Sequence, residues 1–218
     1  LAARSGAVRA ETASGAPASR GYGRDVTDPL PVTLRRCTAA DADAVRTVIA
    51  AAFDDEPEVV DLQDALAARD DNAGYVAEHD GRIVGHVGLT RCWIDAADRV
   101  VEALVLSPLS VAPEVQRRGV GRALLDRAVT HARDAGAPAL FLEGDPAYYS
   151  RHGWRPASEL EVTRPSTRIP LRAFQCVRLP GWQDDMRGAF VYAETFWIHD
   201  AVGLRGERLA RATGEAPG

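Results

Sequence analysis

The sequence predicts a mixed α/β (α+β) domain whose sheet holds both antiparallel and parallel strand pairs, and three observations carry that reading. Two strand-like runs, Gly74–Glu78 and Arg82–Thr90, meet at Asp80-Gly81, and Asp-Gly between such runs supplies the positive φ of a tight antiparallel hairpin. Strand, long amphipathic helix and strand then follow one another between 99 and 142, an order that gives a parallel pair with a right-handed crossover. No internal repeat is visible, and 218 residues suffice for one ordinary domain with loosely held ends.

Taken in order, residues 1–31 are mostly Ala, Gly, Ser, Arg and Pro without a sustained period and are expected to form a flexible tail. Val32–Arg35 alternates as a short strand. Thr38 is an N-cap candidate with Asp41 three residues on, and Val45, Val48, Ile49, Ala52 and Phe53 recur at helical spacing, which predicts a first helix ending near Asp54. A second, shorter helix is expected around Leu62–Ala68. After the hairpin, Arg99–Leu106 reads as a strand, and the two prolines in Ser107–Pro113 predict an interrupted or edge-like extension, since proline donates nothing to a ladder.

From Gly119 to Ala135 the pattern is helical, with Val120, Leu124, Leu125, Ala128, Val129 and Ala132 on one face and Gly136 and Pro138 as stops. Ala139–Leu142 is a continuous apolar run, as in a strand covered on both faces. Asp145-Pro146 resembles a helix start and Gly153 a stop, which places Tyr148 and Tyr149 mid-helix. Phe174–Leu179 and Ala189–Trp197 read as two further strands. The domain is thus expected to span 32–204, with 205–218 frayed.

Composition narrows the function classes. With 46% hydrophobic and 26% charged residues the chain reads as globular. No apolar run approaches the ~18 residues of a membrane helix, no secretory signal is evident, and a cytoplasmic location follows by default. A net charge of −5 lacks the basic footprint of a nucleic-acid binder. All 26 basic residues are arginine, which excludes any mechanism that needs a catalytic lysine. Cys37, Cys92 and Cys176 are odd in number and far apart, so neither a disulfide framework nor a metal site is expected.

The sharpest local feature is Gln116-Arg117-Arg118-Gly119-Val120-Gly121-Arg122, where a strand gives way to the long helix. Glycines at 119 and 121 allow a tight turn, and the first helical turn offers unpaired N–H groups and a positive dipole end. Together they make a site for phosphate or pyrophosphate. A Walker-type loop fails for want of lysine, and a dinucleotide fingerprint would need glycine where the chain has Leu124. The stretch does match the Q/R-x-x-G-x-G/A signature of the GCN5-related N-acetyltransferases (GNAT), and the element order around it resembles that family. Leu109–Gly121 together with Gly144–Trp154 looks especially like a bacterial branch similar to YhbS, with motif-level likeness between about 100 and 155.

The resemblance implies a GNAT-like sheet, mostly antiparallel, with one splayed parallel pair and helices on both faces. It implies acetyl-CoA as cosubstrate, its pyrophosphate at Gln116–Arg122 and its pantetheine arm along Leu109, Ser110 and Val111. The bracketing prolines at 108 and 113 independently suggest backbone groups there without strand partners. Transfer would be direct attack of a neutral primary amine, on a small molecule or a peptide, with backbone N–H groups near Val111 polarising the carbonyl. Tyr149 matches the tyrosine of the family pattern Y-x-x-x-G-[FW] and is the expected proton donor to the thiolate. For the amine's base the family suggests Glu102 on the preceding strand; Glu143, Asp145 and a water chain are alternatives. The aromatic final segment (Trp182, Phe190, Tyr192, Phe196, Trp197) is expected to be core, an acceptor pocket or a homodimer contact. A binding module that keeps the coenzyme cleft without turnover is the alternative of different class, and a nucleotide-binding regulatory domain is a third.

Overall fold

The computed structural model describes residues 29–54 and 56–213. Its strands are β1 (Thr33–Arg36), β2 (Asn72–His79), β3 (Arg82–Ala96), β4 (Val100–Val111), β5 (Ala139–Glu143), β6 (Arg155–Pro156), β7 (Val162–Thr163), β8 (Phe174–Arg178) and β9 (Gly188–Val191). Its helices are α1 (Ala42–Ala52), α2 (Pro57–Ala67), α3 (Val120–Asp134), α4 (Pro146–Tyr149), α5 (Glu194–Ile198) and α6 (Gly206–Thr213). One sheet runs in the order β1-β2-β3-β4-β5-β8-β6, with β9 paired to the far end of β3 and to β7. The pairs β4–β5 and β7–β9 are parallel and the others antiparallel. This is the expected mixed fold, with its hairpin at Asp80-Gly81, where both residues have positive φ.

Strand alternation decides which face each helix covers. Leu140 and Leu142 of β5 join the core under α3, with Leu124, Leu125 and Tyr149. Phe141 between them joins the opposite core, with Leu62 and Leu66 of α2 and Phe196 of α5. Val45 and Ile49 of α1 pack with Phe53, Val59 and Val76 on that same side of the sheet. The buried stripe of α3 is Val120, Leu124, Leu125, Ala128 and Ala132, as its spacing predicts. Asp41 does close the predicted cap, since its Oδ2 accepts from the Thr38 N–H and hydroxyl at 2.8 Å each. Its carboxylate also takes two Arg35 bonds at 2.8 Å, which bind the start of α1 to β1 and hold the Asp41 carboxyl well below the ordinary range.

Several expected boundaries move, each for a tertiary reason. α2 starts at Pro57, five residues before Leu62, because proline at the first helical position needs no N–H partner. β3 runs past Thr90 to Ala96 because β9 covers its far end. β4 continues through Pro108 as far as Val111, so the predicted interruption is a bulge in the partner register: Leu89 faces Leu106 and Val87 faces Leu109. The expected strand at Ala189–Trp197 is a strand only to Val191; Glu194–Ile198 is helical and buries Phe196. Residues 206–213, expected to be frayed, form α6. Most of the expected N-terminal tail lies outside the described residues, but Leu30 is buried and its N–H donates to the Arg118 carbonyl at 2.9 Å.

Candidate functional site

The site begins where β4 and β5 part. They pair only at Leu104↔Leu140 and Val105↔Phe141, while β4 goes on beside β3 to Val111. Backbone parity fixes what faces the resulting gap. The Ala112 N–H donates to Val84 on the β3 side at 2.9 Å, so the alternating N–H groups of Leu109 and Val111 point the other way, into the splay. The Gln116 side chain donates to the Val111 carbonyl at 3.1 Å and thereby ties the following loop to the end of the strand.

That loop turns through two left-handed residues, Arg117 at φ +60° and Gly119 at φ +84°. The first conformation costs a side chain ~1–3 kcal/mol, and the second suits glycine. Gly119 stands at the N-cap of α3 and no side chain among the described residues caps the helix, so its first-turn amides and dipole end remain available to a ligand. Arg117 is exposed, and Arg122 is largely exposed and paired loosely with Asp126 at 3.6 Å. Arg118 is half-buried with its Nε unpartnered among the described residues. Gly121 has a reason beyond the turn: a Cβ there would lie 2.7 Å from the Tyr148 hydroxyl, so Tyr148 abuts the first turn of α3. On the sequence Tyr148 is only the weaker candidate beside Tyr149, expected to point elsewhere on the helix.

α4 is held as predicted. Asp145 caps it through the Ala147 N–H at 2.8 Å, which commits this carboxylate to structure. Tyr149 is 4% exposed, its ring edge-on to Tyr148 at 4.9 Å and to Trp154 at 5.9 Å. Burial raises its phenol above the ordinary range, so it holds its proton at neutral pH. Its ring lies against Gly144, where a Cβ would come within 2.2 Å of Cε2; the absence of a side chain there makes room for the tyrosine. Tyr149, Glu143, Phe53 and residues 106–109 line one cleft at the splay.

The expected base fares differently. Glu102 lies seven residues from Leu109 along β4, ~23 Å at the strand rise; it is 64% exposed and pairs with Arg91 at 3.4 Å. The geometry therefore removes Glu102 from the site. Ser110 also departs from expectation. Its side chain is buried, and by the same parity its main-chain groups face His86 of β3, its register partner, so neither its side chain nor its main chain faces the gap. His86 is fully buried and neither ring nitrogen has a partner among the described residues; burial holds its pKa down to about 4. Glu143, 9% exposed, accepts the Tyr192 hydroxyl at 2.7 Å. Tyr192 comes from the final segment, about fifty residues away in sequence, and no local signal announces the pairing.

The match to known proteins covers this same region. Residues 33–157 fit the model of the acetyltransferase (GNAT) domain. The chain belongs to the GNAT acetyltransferase family. It is 33% identical over 123 residues to YjhQ of Escherichia coli K12, an uncharacterized N-acetyltransferase, covering 55% of this chain and 67% of that one. It is 27% identical over 142 residues to the uncharacterized N-acetyltransferase YhbS of the same strain, covering 64% and 82%. Among solved structures, YhbS in complex with CoA superposes with a TM-score of 0.68 at 25% identity, covering 78% of this chain and 94% of that one. A GNAT family acetyltransferase from Brucella melitensis in complex with acetyl-CoA gives 0.60 at 29%, covering 76% and 98%. The GNAT match ends at 157, so α5, α6 and the strand that delivers Tyr192 lie beyond it. No helix among the described residues is long and apolar enough to cross a membrane.

Proposed function

We propose that this GNAT protein transfers the acetyl group of acetyl-CoA to a primary amine by direct attack within a ternary complex. The observation that carries the reading is the splay of β4 from β5 next to an α3 whose first turn no side chain among the described residues caps. Amides of that turn, with Arg117, Arg118 and Arg122 around them, suit a pyrophosphate. The Leu109 and Val111 main-chain groups facing the gap suit an amide-bearing arm that pairs as a strand would. The CoA and acetyl-CoA complexes of two structural relatives support the same cosubstrate here.

The chemistry then follows from where the groups lie. The amine nitrogen attacks the thioester carbonyl carbon; the C–N bond forms and the C–S bond breaks. The Val111 N–H, on the gap side of β4 by strand parity, polarises the carbonyl oxygen in this reading. Tyr149, protonated and lining the cleft, gives its proton to the departing thiolate. Calorimetric titration with CoA, and thiol release from acetyl-CoA across a panel of primary amines, test this. Gly119→Asp adds a negative charge and a strained side chain at φ +84° and is expected to weaken CoA binding at least tenfold. Tyr149→Phe is expected to lower kcat ~100-fold with CoA affinity retained. An unchanged Kd in the first variant, or CoA binding without turnover on any amine, would count against the proposal, and the latter would favour a non-catalytic coenzyme-binding module.

A further inference from the structure

We infer that Glu143 is the group that takes the proton from the attacking amine, and that Tyr192 positions it; the inference rests on the acetyl-transfer reading above. β5 sends alternate side chains to opposite faces of the sheet. Phe141 goes to the α2 and α5 side, so Glu143, two residues on, goes there too. Tyr149 stands in the core on the α3 side. Both nevertheless line the same cleft, because the sheet is open at that point. A carboxylate and a phenol thus reach one reaction centre from opposite walls.

Direct transfer needs this separation. The attacking nitrogen and the departing sulfur occupy different corners of the tetrahedral carbon, and one needs a proton acceptor while the other needs a donor. Here the acceptor lies on the face of Phe53 and the donor on the face of α3. Glu143 is also the one carboxylate that lines the cleft among the described residues, with Glu102 on the surface and Asp145 engaged as a cap.

Tyr192 fixes the carboxylate. It is 4% exposed, set among Phe190 at 5.2 Å and Phe196 at 4.8 Å, and its hydroxyl donates to Glu143 Oε1. Burial first, then the neighbouring Glu143 charge, raises the Tyr192 phenol, so it acts as a donor and does not compete for the amine's proton. A nearly buried carboxylate is costly without such a partner. The step balances: a primary ammonium first loses one proton through Glu143 to water, the neutral nitrogen then bonds to the acetyl carbon and passes a second proton to Glu143 as the C–S bond breaks, the thiolate takes the Tyr149 proton, and water carries the Glu143 proton back to Tyr149.

Glu143→Gln keeps an oxygen for Tyr192 but removes the base; Glu143→Asp keeps the base on a shorter stem; Tyr192→Phe removes the positioning bond. Each is assayed as the full chain by thiol release from acetyl-CoA with spermidine, tyramine, lysine and a dipeptide, from pH 6 to 10, beside CoA titration and thermal melting. Glu143→Gln is expected to lose at least 100-fold in kcat at pH 7 with CoA affinity unchanged. Its residual rate should climb about tenfold per pH unit toward the pKa of the amine, which then deprotonates without help. Glu143→Asp should recover part of kcat, and Tyr192→Phe should lose about tenfold with a displaced pH limb. Wild-type kcat and pH profile retained in Glu143→Gln would overturn the assignment alone. If Glu143→Gln melts early, a Glu143→Asp protein that is folded but as inactive as Glu143→Gln would overturn it as well. Absence of wild-type turnover on all four amines would overturn the transfer reading and this inference with it.

Discussion

The buried imidazole of His86 makes a stability prediction that is independent of any ligand. His86 packs in the sheet interior, with Nε2 3.3 Å from the position of a Cβ on Gly74 and Cys37 alongside. In the unfolded chain it titrates near the ordinary value of 6.5, whereas in the fold burial holds it at about 4. Between those values the unfolded state binds a proton that the native state refuses, so stability falls as pH drops. Above pH 7 both forms are neutral and the group contributes no slope. At about 1.4 kcal/mol per pKa unit, the loss amounts to about 3 kcal/mol by pH 4. Histidines 131 and 152 are lowered in the same direction, both mainly by burial, and add to the wild-type slope. The lowered carboxylates Asp41, Asp71, Asp185 and Asp200 act below about pH 4, where their unfolded forms begin to protonate. Urea unfolding of wild type and His86→Leu at half-unit steps from pH 7.5 to 4 isolates the His86 share as the difference between two curves. The variant should flatten the decline by about 3 kcal/mol. Parallel curves would refute the claim that this ring is buried neutral.

Two substitutions probe the architecture of the cleft. Gly144→Ala places a Cβ 2.2 Å from the Tyr149 ring and should displace the tyrosine, lowering kcat at least tenfold while CoA affinity stays within a few-fold, measured by thiol release and calorimetry. Gln116→Ala removes the side-chain bond to the Val111 carbonyl; at about 1 kcal/mol for one such bond, CoA should bind roughly fivefold more weakly by calorimetry.

Much of this molecule was legible in its residues. The glycine pair at 119 and 121, the apolar stripe of α3 and the Asp145-Pro146 start are local signals, and each element stands where its pattern put it. The phosphate-suited turn and Tyr149 followed from those signals together with a family likeness. Aromatic and β-branched density misled at Ala189–Trp197, because strand-formers pack equally well on a short buried helix once β3 and α2 supply the surface. Leu30 was unreadable because nothing in its neighbours marks a segment that docks on the Arg118 carbonyl. Glu102 drew attention through its strand, yet it lies ~23 Å along β4 from Leu109 and does not line the cleft of Tyr149 and Glu143.

By itself the sequence determined the helix that opens at Val120, the turn before it, the hairpin and the tyrosine on α4, since each depends on spacing within a few residues. Only the tertiary structure decided that β4 and β5 part after two residue pairs, that Glu143 and Tyr149 line one cleft from opposite faces of the sheet, and that Tyr192 crosses from the far end of the chain to bond the carboxylate. The physical reason is that hydrophobic periodicity records which side of an element is buried, while the groups that meet across a gap are set by strand register and by packing between segments distant in sequence.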